Sequence, residues 1–162
     1  MDTHPAADRA LAEHHMNTIL ARLAGSGAVP LDWPRDLALE GQGTGDLGQR
    51  LQRALRAHAK GAVAVIGTDA PDMTPALIAA GLAACRATGS AFGPASDGGF
   101  WLLALSAPKA RRVRLDQAIR WSHAQTLADT EVALGGRSAR IATLSDIDDG
   151  ADLKAWRQRR RR

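Results

Sequence analysis

Apolar positions recur at spacings of three and four over residues 6–24, where Leu11, His15, Ile19, Arg22 and Leu23 share a stripe. That period predicts a helix, and Gly25, Ser26 and Gly27 stop it. Residues 28–45 are broken by Pro30, Pro34, Gly41, Gly43 and Gly45, which predicts a short extended piece and then a loop. Leu47, Leu51, Ala54, Leu55 and His58 form a second helical stripe over 47–58, with Asp46 placed as its N-cap. The pattern then changes. Ala62 to Ile66 is a continuous apolar run ending in Gly67, Thr68 and Asp69, as expected of a central strand buried on both faces. Thr74 followed by Pro75 is a strong helix start, and Leu77, Ile78, Leu82 and Cys85 line one side as far as Gly89. Residues 90–94 predict a short strand, Gly98–Gly99 a turn, and Phe100 to Leu105 a strong strand. A helix over 122–134 capped by Ser122, a strand from Ala139 to Leu144, and a helix from about Gly150 into the C-terminal end complete the reading.

Strands alternating with helices predict an α/β/α sandwich of three layers around a mostly parallel, mixed sheet. The strand pair around Gly98–Gly99 is expected to be a local antiparallel or bulged excursion. At 162 residues the chain fits one domain, taken as 1–156 with a basic tail at 157–162. A sheet of this kind usually opens on a buried strand, whereas this chain opens on a helix.

Composition narrows the chemistry. Cys85 is the single cysteine, so an intramolecular disulfide and a cysteine-built zinc site are excluded. No apolar run reaches the roughly 20 residues of a membrane span, and the first residues lack the pattern of a secretory signal. A cytoplasmic protein is the expectation. The net charge is +4, but Arg157 and Arg159 to Arg162 supply five positive charges, leaving −1 on the rest of the chain. With only two Phe and no Tyr, the chain lacks the basic face with interleaved aromatics of a nucleic-acid binder, and no stable nucleic-acid complex is expected. The Arg-rich end reads as a solvated helix terminus; the competing reading is an electrostatic contact with RNA or a membrane surface.

The candidate site residues are carboxylates at strand ends. Asp69 follows the 63–66 run, and ligands of open α/β sheets sit outside the carboxyl ends of the strands. Asp72 either shares that site or belongs to the turn before Thr74. Asp97 precedes Gly98–Gly99, a pattern that also makes an ordinary Asp-Gly turn. Asp146, Asp148 and Asp149 follow the last predicted strand, where a loop capping the final helix is the plain alternative. Three such stretches meeting at one edge would offer hard oxygen donors suited to Mg²⁺ or Mn²⁺. The five histidines lack the spacing of a ligand pair. A second candidate is the loop from Gly41 through Gln42, Gly43, Thr44, Gly45 and Asp46 to Gly48, whose glycines free backbone amides at a helix start for a phosphate or a base edge.

Five blocks in fixed order carry a resemblance: QGTGDLGQRL (42–51), VAVIGTDAPDMTPALI (63–78), FGPASDGGFWLLAL (92–105), RWSHAQTLADT (120–130) and DIDDGADL (146–153). The chain resembles the bacterial glycosyltransferase-like family known as domain of unknown function 2064, of GT-A type. The resemblance implies a nucleotide-diphospho-sugar-transferase fold and a metal-dependent glycosyl- or nucleotidyltransferase acting on a nucleotide or nucleotide sugar. It implies Asp69 and Asp97 as catalytic residues, and Asp69 and Asp148 as ligands of Mg²⁺ or Mn²⁺. It implies Gln42, Gly43, Gly45, Asp46 and Gly48 beside the nucleotide. Trp121–Ser122 match a family Trp-Ser pair, and Trp101 reads as a core residue. Families of this type begin with a strand and a basic phosphate loop, for which residues 1–30 offer no match. The expectation is therefore of an N-terminally incomplete GT-A domain. The alternative is a non-catalytic remnant that acts as an interaction or dimerisation module, with its open sheet edge paired to a second copy.

Overall fold

A computed structural model of the chain describes residues 44–67, 69–115, 118–147 and 149–160. The predicted helix over 6–24, the extended piece and loop that follow it, and Gln42, Gly43 and Asp148 lie outside the described residues. Helix α1 spans Leu47–Ala57 and opens on a capping box. The Asp46 carboxylate accepts from the Gln49 amide at 2.8 Å, and the Gln49 side chain accepts from the Asp46 amide at 3.2 Å. Strand β1 (Val63–Ile66) follows, then helix α2 (Pro75–Thr88). The predicted Thr74–Pro75 start holds: Thr74 Oγ1 accepts from the Leu77 amide, and Gly89 closes the helix in a left-handed conformation. Strands β2 (Ser90–Pro94) and β3 (Phe100–Leu105) are joined by the Gly98–Gly99 turn.

A short helix α3 (Ala107–Arg112) comes next and has no counterpart in the sequence reading. Helix α4 spans Thr126–Ala133, strand β4 Ala139–Arg140 and helix α5 Gly150–Arg159. Helix α4 starts four residues later than expected, because Ser122 does not cap it. Ser122 sits at φ 53°, in the left-handed region, within a turn organised by Thr126. Strand β4 is shorter than the predicted 139–144, although Leu144 still bridges Ala95 in parallel. Among the described residues no helix is long and apolar enough to cross a membrane.

The sheet order is β1-β3-β2-β4. β3 is antiparallel to both neighbours and β2–β4 is parallel, so β1, β2 and β4 all run the same way and β3 runs against them. The expectation of a mostly parallel, mixed sheet holds for strand direction. The position of β3 corrects two details. The strand after Gly98–Gly99 lies in the middle of the described sheet, with Trp101 to Leu105 buried. The 63–66 run, expected at the centre, forms the edge among the described residues and is only half-buried. A continuous apolar run does not distinguish the two places, because both are covered by helices.

Helices on both faces make three layers. On one face α2 packs Ile78 and Cys85 against Trp101, Leu102 and Ala104. On the other, Leu55 of α1 with Ala110, Val113 and Leu115 packs against Phe92, Leu103 and Leu105. Trp101 breaks the alternation. Gly93 pairs with Leu102 and Pro94 with Phe100, so Trp101 is the extra residue of a β-bulge and falls on the same face as Leu102. Its indole lies against Gly93, where any side chain would collide with the ring. Its Nε1 donates to the Ala142 carbonyl at 3.0 Å, and its own carbonyl accepts from the Gly67 amide at 2.8 Å. Trp101 is thus a core residue, as expected, and it ties the segment leading to Asp69 to the central strand.

Candidate active site at the carboxyl ends of the parallel strands

The three strands that share a direction deliver three carboxylates to one end of the sheet. Asp69 follows β1, Asp97 follows β2, and Asp146 follows β4. The Asp69 carbonyl accepts from the Ile147 amide at 3.0 Å, which places the segment after β4 beside the segment after β1. Asp69 is accessible at the surface, yet protein atoms crowd its carboxyl group from the sheet side. That partial burial raises its pKa above the ordinary 3.8, its backbone hydrogen bond opposes the rise, and the charges of Asp146 and Asp97 add to it. Of the carboxylates expected to meet, Asp148 lies outside the described residues, and among the described ones the charges of Asp146 and Asp97 reach Asp69. Asp146 was itself a candidate, with a loop capping the final helix as its plain alternative. Capping belongs instead to Asp149, whose Oδ1 accepts from the Ala151 and Asp152 amides at 2.8 and 3.0 Å.

Asp97 has a structural task as well. Its Oδ1 accepts from the Gly99 amide at 2.7 Å and so shapes the turn between β2 and β3. That turn is locked from outside by the loop 120–126. Gly98 adopts φ 93°, and a side chain there would run into the Ala124 carbonyl. The Leu127 amide donates to the Gly98 carbonyl at 3.1 Å. The loop is itself held tightly. Arg120 makes a two-pronged pair with Asp129 at 2.8 Å for each bond. This pair lowers the Asp129 carboxyl to about 2. Thr126 Oγ1 lies 2.6 Å from the Arg120 carbonyl and accepts from the His123 amide at 3.1 Å.

Asp72 is at the same end, but its Oδ1 accepts from Trp156 Nε1 at 3.0 Å and fastens α5. The glycine loop is divided. Gly45 and Asp46 are exposed at the start of α1, with Asp46 Oδ1 engaged by the Gln49 amide. Gly48 is buried, and a side chain there would meet the Leu115 carbonyl and the Trp121 ring. Its smallness serves the approach of α1 to the 115–121 segment. Trp121 in turn packs edge-on against Phe100, ring centroids 6.5 Å apart. Through this contact the α1 start and the Asp97 turn lie at the same end of the molecule.

Among the described residues no three His, Cys, Asp or Glu side chains form a ready ligand set for a metal ion. The donors at this end are hard oxygens all the same, and Mg²⁺ commonly binds one or two carboxylates and completes its shell with water and substrate phosphates. The like charges of Asp146 and Asp97 acting on Asp69 suit such an ion.

The model of a family described as "Uncharacterized protein conserved in bacteria (DUF2064)" matches residues 5–123. The chain belongs to the DUF2064 family. The matched span contains Asp69 and Asp97 and ends before the 146–153 block. Beyond the family model, this DUF2064 chain is similar in structure to a protein from Desulfovibrio desulfuricans G20 described as a "putative nucleotide-diphospho-sugar transferase". The TM-score is 0.68 at 25% identity, over 90% of this chain and 72% of that one. No curated protein matches the chain. The α/β fold is therefore common ground between this DUF2064 chain and that neighbour.

Proposed function

We propose that the chain is a divalent-metal-dependent transferase acting on a nucleotide or nucleotide sugar, with its site at the carboxyl ends of β1, β2 and β4. The observation that carries this reading is the meeting of the segments after β1 and β4, where the Ile147 amide donates to the Asp69 carbonyl at 3.0 Å, so that the charges of Asp146 and Asp97 act on the Asp69 carboxyl. An unpaired negative charge in such surroundings is costly, and sites that hold like charges together are characteristic of function rather than of stability. Asp69 is the principal ligand of Mg²⁺ or Mn²⁺ in this proposal, helped by Asp148, with Asp97 catalytic beside them. Asp146 joins them through its field. The ion would neutralise a diphosphate and the charge developing on the leaving oxygen. Asp97, held by the Gly99 amide and braced by the 120–126 loop, keeps a fixed geometry toward the reacting groups. Gln42, Gly43, Gly45 and Asp46 receive the nucleotide in this proposal, Gly45 and Asp46 being exposed at the start of α1, while Gly48 sets the approach of α1 to Trp121.

The nucleotide-diphospho-sugar transferase description of the structural neighbour supports the substrate class. The test is calorimetric titration of Mn²⁺ with UDP-sugars, GTP and CTP into the wild-type chain and Asp69→Asn. At least one nucleotide is expected to bind with Mn²⁺ and to lose at least tenfold in affinity in the variant. Binding that survives the substitution unchanged removes the metal assignment. The alternative is a non-catalytic dimer paired along β1, the edge among the described residues. A monomer in sedimentation that binds nucleotide dismisses it.

A further inference from the structure

The opposite end of the sheet carries the reverse charge. There the strand starts of β1, β2 and β4 meet the end of β3, and α3 and the end of α4 enclose a cleft of roughly 370 Å³. Pro108, Val113, Ala133 and Leu134 give it apolar walls, and Lys109 and Arg112 give it positive charge. Lys109 is preorganised. Its stem lies over Gly89, and its Nζ donates to Ser90 Oγ at 3.2 Å and to the Leu134 carbonyl at 3.3 Å. Both partners are neutral oxygens, and Lys109 has no carboxylate partner among the described residues. Ser90 Oγ is also bonded to Ser138 Oγ at 2.7 Å, so the ammonium stands on a connected polar floor.

Arg112 is exposed in the last turn of α3 and makes no hydrogen bond or ion pair among the described residues. Arg114 also borders the cleft. The nearby Glu131 is occupied by the Ser138 amide and Arg140, both at 2.7 Å. A partly buried ammonium and a neighbouring guanidinium with no carboxylate partner among the described residues suit an anion.

We infer that this cleft is a binding site for a small multivalent oxyanion, a phosphate or pyrophosphate group on a compact molecule with an apolar body. The volume is in the range of small-molecule pockets, and the walls between the two cations are apolar rather than a polar track. Those two features favour a compact ligand over a polymer backbone. The site is separate from the carboxylates at the other end of the sheet, and it needs no metal.

The test uses the full chain in EDTA, so that metal-dependent binding at Asp69 is silent. Inorganic pyrophosphate is titrated at constant ionic strength and followed by two-dimensional amide NMR. Saturable shifts are expected at residues 89–90, 109–114 and 133–135, unchanged in Asp69→Asn. Arg112→Gln, an exposed change that leaves the core intact, is expected to weaken binding about tenfold, and Lys109→Gln by at least as much. Shifts reproduced by chloride, or affinity indifferent to Arg112→Gln, overturn the inference. So does single-stranded RNA that binds the same residues far more tightly than pyrophosphate, since that outcome assigns the cleft to a polymer.

Discussion

The two ends of the four-stranded sheet are made of different material. At one end, the segments after β1, β2 and β4 carry Asp69, Asp97 and Asp146, and the Asp97 turn needs Gly98 and is braced by a second loop. At the other, Lys109 rests on the neutral oxygens of Ser90 and Leu134 beside Arg112, and Glu131 is satisfied by Arg140 and Ser138. Like charges act on Asp69 at the first end, whereas at the second Glu131 is paired and Lys109 and Arg112 have no carboxylate partner among the described residues. The difference teaches that the acidic end hangs on close backbone contacts, with the bulge at Trp101 tying the segment before Asp69 to the central strand.

The largest test of that contrast is Trp101→Ala. Removing a fully buried indole beside Gly93 is expected to cost about 3–5 kcal/mol in urea denaturation. It should also disorder the Asp69 segment before the basic end, as read by hydrogen exchange of the Gly67 and Ile147 amides. A loss below about 1 kcal/mol would show that the bulge does not hold that segment.

Next come two glycines with the same handedness and different surroundings. Gly98→Ala is expected to cost about 3 kcal/mol, because φ 93° is strained for any side chain and the Ala124 carbonyl stands in the way. Gly135→Ala, at φ 80° with open space around it, should cost only about 1 kcal/mol. Equal losses would remove the claim that the acidic end hangs on close backbone contacts.

The smallest effect sharpens the comparison through its sign. Asp69 is raised, so the folded state favours its protonated form and its ionisation works against the fold. That penalty is absent below the ordinary pKa of 3.8 and is complete above the raised value. Asp69→Asn should therefore raise Tm at neutral pH, by on the order of 1–2 °C, and leave it unchanged in acid. At Glu131 burial works to raise the carboxyl, but the Ser138 amide and Arg140 hold it below its ordinary 4.5. Its contribution is present above pH 4.5 and is lost as pH falls through the lowered value. Glu131→Gln should lower Tm at neutral pH by a similar small amount, discounted for its exposure to solvent. Thermal scans from pH 3 to 7 read both signs.

What could be read along the chain was whatever depends on near neighbours. The capping box at Asp46, the Thr74–Pro75 start, the Gly89 stop and the hairpin at Gly98–Gly99 came from local chemistry, and each stands in the structure. Asp69 and Asp97 were legible as carboxylates after strands because that is a local pattern, and the structure places both after strands that share a direction. Ser122 was misread for the same reason. A serine before a helical stripe is a cap by local rules, but Thr126 and the packing of Ala124 on Gly98 bend the chain first and delay α4 to Thr126. The short α3 was missed because six residues are too few to show a period.

The sequence by itself determined the element types and the alternation that makes three layers. Only the tertiary structure decided that β3 and not the 63–66 run takes the middle, since strand order depends on contacts between segments far apart in the chain. It also decided that Trp101 leaves its alternation, that the segment after β4 lies beside the one after β1, and that Gly48 is space for Trp121. The separation of acidic and basic charge to opposite ends has the same origin. Charge along a chain is a list, and it becomes a field only when strands with a common direction put their ends together.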